Sequence, residues 1–386
     1  MTTLFDPIHV GNIDCANRIA MAPLTRNRAA LGQVPTSLMA TYYEQRASAG
    51  LIITEATQIS PTGQGYLGTP GIHNAAQISG WRTIANAVHG QGGKLVMQLW
   101  HVGRISHTSL LPDGQQPVSS TSRRANTKTF TAQGFEDVSA PRALRLDELP
   151  GIVRDFRQAA RNAVDAGCDG VEVHGANGYL LEQFLRDSIN DRTDDYGGSP
   201  EHRTRLAVEV MTAIAAEIGS GRTGLRLSPV TPANDAGQDS NAQGLFNLLL
   251  DRLAPLKLAF IHMIEGATGG ARDVVPFDYA ALRSRFKAGH VNGAWIVNNG
   301  YTRSMAIDAV ASGAADMVAF GRPFISNPDL VSRLRLDAPL SALNADTLYG
   351  GGAAGYTDYP PLDSTIPGRL ESGGHPRAGL DSRYRA

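Results

Sequence analysis

Cysteine is scarce in this chain: two residues, Cys15 and Cys168, lie far apart in sequence. They form neither a metal-ligand spacing nor a disulfide framework, so buried free thiols in a reducing compartment are expected. An excess of either charge is also missing. The 35 lysines and arginines offset 36 aspartates and glutamates, for a formal net charge of −1. That balance gives no electrostatic footprint for nucleic acid or an anionic membrane surface. No apolar run approaches the ~20 residues that span a bilayer. No basic segment followed by an apolar core opens the chain, so no secretory signal is expected. No repeat with a period of about 20 to 50 residues stands out. The expectation is a cytoplasmic protein with small-molecule partners, as monomer or homodimer, binding neither nucleic acid nor membrane.

What is present is a regular alternation. Of 386 residues, 42% are hydrophobic and 18% charged, a globular composition. Eight short apolar runs read as strands: 19–23, 51–54, 94–99, 170–173, 224–227, 260–264, 294–297 and 317–320. Amphipathic stretches between them read as helices: 36–48, 75–89, 149–165, 200–217, 242–253, 278–286 and 303–311. Ser199-Pro200 and Asn327-Pro328 read as N-cap followed by proline in the first turn. Ala166-Gly167 and Ile218-Gly219 read as helix stops.

Strict strand–helix alternation argues for a parallel sheet. Eight units over this length favour an α/β fold of the closed (β/α)8 TIM-barrel type over an open doubly wound sheet. The pattern alone leaves the open sheet possible, but its Gly-rich dinucleotide turn is missing after the first run. Three stretches fall outside the repeat. Leu4–Asn17 could form a hairpin capping the barrel floor. Residues 107–146, rich in Ser, Thr, Pro and Gly, read as a long loop subdomain after the third strand. The expected plan is one barrel over 1–362 with that excursion, then a polar tail over 363–386.

The stretch Gly170 to Ser199, GVEVHGANGYLLEQFLRDSINDRTDDYGGS, carries the most chemistry. A β-branched run hands over to His174, Asn177 and Tyr179, at the kind of strand end where such barrels keep their active sites. His174 and Asn177 each offer an N–H donor, and Tyr179 an O–H. Two donors three residues apart can converge on one oxygen if the first turn after the strand is helical. A weak acid beside them suits protonation of a carbon next to an enolate. A single histidine after a strand is more often a structural hydrogen-bonder, so the whole phrase carries the weight.

That phrase resembles the Old Yellow Enzyme family of FMN-dependent ene-reductases, in its classical branch. The resemblance runs from about Leu4 to Leu362 and is weakest in the 107–146 excursion and the tail. It implies catalytic roles for His174, Asn177 and Tyr179. Met21-Ala-Pro-Leu-Thr-Arg26 is similar to the family phrase that meets the flavin ring, which implies cofactor contacts for Pro23 and Thr25. By the same resemblance Ala56 packs the flavin edge, Gln98 reads its pyrimidine side, and Arg226 faces N1. Asn299, Gly300, Gly321 and Arg322 then hold the FMN phosphate, with glycines admitting backbone N–H groups and the arginine supplying charge. Trp100 and Tyr349 would line the substrate pocket; His101 has no assigned role. Many family members carry two histidines where this chain has His174 and Asn177. Both versions occur, so the reaction type stands while substrate preference can differ.

The implied activity is reduction of activated C=C bonds in α,β-unsaturated carbonyl or nitro compounds. FMN is bound non-covalently, and NADPH or NADH is the reductant. Nitrate esters are a further substrate class. A Schiff-base aldolase would need a lysine at a strand's C-terminal end, and Lys94 and Lys257 are elsewhere. A metallohydrolase would need a ligand cluster after the first strand, where Met21–Arg26 has none. An RNA-acting flavin barrel would need a basic face. A non-catalytic flavin-binding protein is the remaining alternative, and it has no use for a proton donor at Tyr179.

Overall fold

The computed structural model describes residues 2–288, 290 and 292–362. Eight parallel strands close on themselves: β1 Ile19–Met21, β2 Leu51–Ile53, β3 Leu95–Trp100, β4 Gly170–Gly175, β5 Thr223–Leu227, β6 Phe260–Ile264, β7 Ala294–Asn298 and β8 Met317–Phe320. Each pairs with the next, and β8 returns to β1 with Val318 opposite Ile19. Eight helices alternate with them: α1 Ser37–Glu44, α2 Ala75–Gly90, α3 Leu149–Asp165, α4 Arg205–Ile218, α5 Ala242–Leu253, α6 Tyr279–Lys287, α7 Arg303–Ala311 and α8 Leu330–Leu336. This is the expected (β/α)8 TIM barrel.

Helix α3 shows why these segments are helical and where they dock. Leu149, Ile152, Phe156, Ala159, Ala160 and Ala163 are buried at three- and four-residue spacing, with arginines between them on the outer face. Each large apolar side chain so buried is worth about 1.5–3 kcal/mol. Phe156→Ala would cost about 3–5 kcal/mol through the cavity it leaves.

Several local expectations are corrected. The stretch 200–217 is two helices, Pro200–Arg203 and α4, that meet at Thr204, whose hydroxyl donates to the Pro200 carbonyl at 2.8 Å. Ser199 does cap the first, accepting from the His202 N–H. Asn327-Pro328 is not a helix start. Asn327 ends the short helix Arg322–Ser326 and its amide accepts from the Ser341 N–H at 2.8 Å, while α8 begins only after Asp329. Strands β3 and β4 run further than the apolar pattern, so His174 lies within β4 itself.

A hairpin of Ile8–Val10 and Ile13–Cys15 seals the floor. Val10, Ile13 and Cys15 pack on barrel-interior residues such as Leu51, Phe260 and Met317. Its turn requires glycine: Gly11 has φ +58°, and a Cβ there would stand 2.4 Å from the Gly221 carbonyl oxygen. Cys15 and Cys168 are buried and free. Between β3 and α3 the chain forms a second hairpin, Lys128–Thr131 with Gly134–Asp137. It lies against the loop after β2, where the Leu67 N–H donates to the Phe130 carbonyl at 2.9 Å.

Candidate active site

His174, the penultimate residue of β4, is only 4% exposed. The Ala176 N–H donates to its Nδ1 at 3.3 Å, which leaves the proton on Nε2. Burial, reinforced by Arg226 and His262 nearby, holds its pKa well below the ordinary histidine value. His174 is therefore a neutral N–H donor.

The turn that follows is not helical, so the helical route by which the two donors could converge is not the one used. Asn177 has φ +58° and Gly178 φ +74°, a left-handed pair, and helix begins only at Leu180. Asparagine tolerates this region better than most side chains. The Asn177 N–H donates to Ser228 Oγ at 2.8 Å, and its carbonyl accepts from Asn234 Nδ2 at 2.9 Å. Its Oδ1 accepts from the Thr268 hydroxyl at 2.6 Å, and Thr231 Oγ1 donates in turn to Thr268 Oγ1 at 3.2 Å. That directional chain leaves the Asn177 Nδ2 hydrogens for a ligand.

The rest of the phrase braces this turn. The short helix Leu180–Leu185 is buried along its whole length. Its Glu182 accepts from the Gly178 N–H, from Ser228 Oγ at 3.0 Å and from Arg186 Nη2 at 2.8 Å. Both members of the Glu182–Arg186 pair are fully buried. Removing one partner of such a pair typically costs about 3–5 kcal/mol, because the other charge is stranded.

Tyr179 places its hydroxyl 3.1 Å from that of Tyr66. Its ring meets Trp100 edge-on at 4.9 Å and His174 at 5.0 Å. Burial pushes its pKa up from the ordinary tyrosine value, while hydrogen bonds from Tyr66 and Asn234 pull the other way. The group is a protonated O–H. Trp100 is anchored by Nε1 donating to Gln58 Oε1 at 3.1 Å. Ala56 is buried in the same cluster as Trp100 and Tyr179. His101, unassigned in sequence, accepts from the Gly103 N–H at 3.0 Å, and burial lowers its pKa to about 4. That role is structural.

Below this pocket Gln98 Nε2 donates to Glu172 Oε1 at 2.8 Å. Arg226, opposite His174 across the β4–β5 pair, is 5% exposed. A buried arginine calls for an anion, yet among the described residues Arg226 makes no ion pair. It donates to Asn298 Oδ1 at 2.9 Å and leaves its buried Nε without a partner. Burial pulls its pKa down to about 10. An anionic ring bound above it fits that unmet demand.

The ends of β7 and β8 bring together the glycines and the arginine expected at the cofactor phosphate. Gly300 has φ +66° with open space where a Cβ would stand. Gly321 precedes Arg322, whose exposed guanidinium makes no ion pair among the described residues and reaches the Gly269 loop. Asn299 is engaged differently from a direct ligand. Its Nδ2 donates to the Glu265 carbonyl at 2.6 Å and the Ala267 carbonyl at 2.9 Å, and its Oδ1 accepts from the Gly269 N–H at 3.1 Å. Its side chain shapes the loop beside Arg322.

The loop after β1 holds Pro23 and Thr25 half-buried. Arg26 and Arg28, just beyond, are buried and donate to carbonyls of the 347–355 segment. Arg26 reaches Leu348 at 2.8 Å and Gly355 at 2.7 Å; Arg28 reaches Thr347 at 3.0 Å and Gly352 at 3.1 Å. Tyr42 and Tyr356 stack at 4.0 Å beneath them. Tyr349, on that segment, is 62% exposed, at the rim near Tyr66 and Tyr179 rather than in the wall. Tyr66, Asn234 and Thr268 were not found by sequence reasoning. Tyr66 sits in a Gly-flanked loop, Gln64-Gly-Tyr-Leu-Gly68, a usable signal; Asn234 and Thr268 had none.

Among the described residues no cluster of His, Cys, Asp or Glu could hold a metal ion, and no helix is long and apolar enough to cross a membrane. The sequence profile of the NADH:flavin oxidoreductase / NADH oxidase family matches residues 3–340. The chain is 46% identical over 370 residues to 12-oxophytodienoate reductase 1 of Oryza sativa subsp. japonica, covering 93% of each. It is 42% identical over 368 residues to 12-oxophytodienoate reductase 2 of Arabidopsis thaliana, covering 94% of this chain and 96% of that protein. The Old Yellow Enzyme homologue from Zymomonas mobilis superposes with TM-score 0.88 at 44% identity, covering 93% of this chain and 99% of its own. Morphinone reductase in complex with tetrahydroNAD gives TM-score 0.88 at 44% identity, covering 96% and 100%. On this evidence of sequence, fold and site, the chain belongs to the NADH:flavin oxidoreductase / NADH oxidase family, that of the Old Yellow Enzymes, and is a flavoprotein oxidoreductase whose cofactor is FMN.

Proposed function

We propose that the protein is an ene-reductase that uses NADPH or NADH to reduce the C=C bond of α,β-unsaturated carbonyl or nitro compounds. The observation that carries this reading is the pair of oriented donors, His174 Nε2–H and Asn177 Nδ2–H, beside the protonated Tyr179 hydroxyl. The chemistry that FMN supplies when bound is hydride transfer, from the reduced nicotinamide and then to the alkene β-carbon. Pro23, Thr25, Ala56, Gln98 and Arg226 would hold its ring; Gly300, Gly321 and Arg322 its phosphate, with Asn299 shaping the loop. The tetrahydroNAD bound by morphinone reductase supports a nicotinamide as reductant.

This chain's own residues do the rest. His174 and Asn177 bind the carbonyl or nitro oxygen and stabilise the charge that grows there, each worth about 2.7–4 kcal/mol. Tyr179 gives its proton to the α-carbon. Trp100 walls the pocket that excludes water, and Tyr349 borders its mouth. Nitrate esters present a similar oxygen pattern and are a further substrate class. A cytoplasmic setting agrees with the two free, buried thiols. A flavin carrier without catalysis is the competing reading, and a buried hydroxyl kept protonated beside two oxygen-binding donors argues against it.

The test is titration with para-substituted phenols, whose phenolate resembles the enolate. Binding to the oxidised enzyme should give a long-wavelength charge-transfer band and a lowered phenol pKa. His174→Ala and Asn177→Ala should each weaken both, and the double variant should cost less than the sum. Bands and affinities unchanged in both single variants would remove the donor assignment.

A further inference from the structure

The reaction above employs groups that face the pocket and the cofactor and leaves unused a buried ionisable pair beside them, Glu172 and His262. Around β7, β8, β1 and β2 the barrel interior is apolar, filled by residues such as Ile296, Met317, Ala20 and Leu51. Between the apolar floor that Val96 and Phe260 share with them and the pocket above, β3 to β6 carry Gln98, Glu172, Arg226 and His262, none more than 5% exposed. Strand register explains how they meet. Gln98 stands opposite Glu172 across β3–β4, and Arg226 opposite His262 across β5–β6. Glu172 itself stands opposite Gly224, which has no side chain, so its carboxylate reaches past β5 to His262. Glu172 Oε2 meets His262 Nδ1 at 2.7 Å while Oε1 takes the Gln98 amide at 2.8 Å.

Packing does not call for this arrangement. Burying an ionised carboxylate is costly even when paired, and apolar replacements of buried ion pairs are often neutral or stabilising. The set also has two loose ends: His262 Nε2 and Arg226 Nε are buried with no partner among the described residues. A half-layer that is expensive and incompletely satisfied is organised around something else.

We propose that the Glu172–His262 pair is a positioning device for the cofactor, orienting Gln98 and setting the reduction potential of the flavin. With one Nε2 hydrogen held by Glu172, the Gln98 amide keeps one orientation, leaving Oε1 and the second hydrogen for the ring's pyrimidine edge. The carboxylate's negative charge, beneath the same edge, opposes Arg226 in stabilising the extra charge of the reduced ring. His262 holds that charge in place by donating from Nδ1. Neither residue touches substrate, so neither is catalytic.

The inference rests on the FMN-site reading, and the test separates the two. FMN is removed and retitrated, and the midpoint potential of the reloaded protein is measured, for wild type, Glu172→Gln, Gln98→Ala and their double variant. A wild type that takes up no FMN would sink the site reading itself. With wild type loaded, Glu172→Gln should raise the FMN Kd about tenfold, the loss of one buried hydrogen bond, and move the potential positive. The double variant should bind FMN no worse than Gln98→Ala alone, because Glu172 acts through that amide. A potential that stays or moves negative, or losses that add, would overturn the proposal. Should Glu172→Gln not fold, His262→Leu serves in its place: without the Nδ1 donor the Glu172 side chain is less firmly placed, so the FMN Kd should rise, but not beyond that of Gln98→Ala when the two changes are combined. An unchanged Kd, or losses that add, would count equally against the idea.

Discussion

The hydroxyl oxygens of Tyr66 and Tyr179 stand 3.1 Å apart, in a pocket where both groups are held protonated by burial. If Tyr179 gives up its proton, Tyr66, together with Asn234, is a donor that meets the oxygen left behind. Tyr179→Phe should leave flavin reduction by NADPH intact and slow reoxidation by cyclohexenone by about 10²–10⁴-fold, the usual size of a general-acid contribution. Tyr66→Phe should slow the same step by about tenfold, one hydrogen bond's worth. Reoxidation by a quinone, which needs no carbon protonation, should barely change in either. Stopped-flow traces showing equal slowing with both acceptors would remove the proton-donor role.

Thr268 decides which end of the Asn177 amide faces the ligand. Its hydroxyl donates to Oδ1 at 2.6 Å. In Thr268→Val the amide can turn over and present an acceptor to an anionic oxygen. Phenol affinity should fall by about tenfold, and Thr268→Ser should restore it. The readout is the phenol charge-transfer titration. Full affinity in the valine variant would show that the amide is oriented by something else.

In the proposed phosphate site Arg322 would supply charge, and Gly300 and Gly321 backbone. Arg322→Ala should weaken FMN retention and make what remains less sensitive to salt, since the charge-assisted part of phosphate binding is gone. Gel filtration at two ionic strengths, followed by the flavin-to-protein absorbance ratio, measures this. Retention equal to wild type at both would misplace the phosphate site.

Glu55, just after β2, is buried, with Tyr43 donating to its Oε1 at 3.3 Å, and burial pushes its pKa up from 4.5 to about 7. The folded state therefore binds this proton more tightly than the unfolded chain. Its contribution to stability is complete below about pH 4.5 and is lost as pH rises through about 7. The loss is on the order of 3 kcal/mol. Glu55→Gln removes that slope, so the stability of the variant relative to wild type should be greater at pH 8 than at pH 5. Urea unfolding at both values tests it, and a pH-independent difference would contradict the shift.

The barrel was legible because its signals are local. Phe260–Ile264 and Met317–Phe320 are short apolar runs between helices, and α3 carries an unbroken three-four stripe. Proline capping read correctly at Ser199, where the hydroxyl finds the His202 N–H, and failed at Asn327, whose amide is taken by Ser341. The pocket was legible in its first layer because His174, Asn177 and Tyr179 share one phrase. The groups that aim them do not. Thr268 is 91 residues from Asn177 and Asn234 is 57 away, joined only by barrel closure. The left-handed turn at Asn177 was hidden for a partly related reason: Ser228, 51 residues away, accepts from its N–H, while Glu182 in the same phrase accepts from the Gly178 N–H.

The two arginines after β1 tie the rim to the cradle. Arg26 and Arg28 donate to the carbonyls of Thr347, Leu348, Gly352 and Gly355, so the segment bearing Tyr349 is stitched to the loop bearing Thr25. For anyone redesigning the substrate range, the two ends of this stitch form a single exchangeable cassette. Point changes at Tyr349 leave every stitch in place, since its exposed side chain makes none of them. Transplanting the whole 347–355 stretch from a relative succeeds only with its own counterparts of Arg26 and Arg28, because a mismatched donor set strands two guanidiniums beside the cofactor pocket.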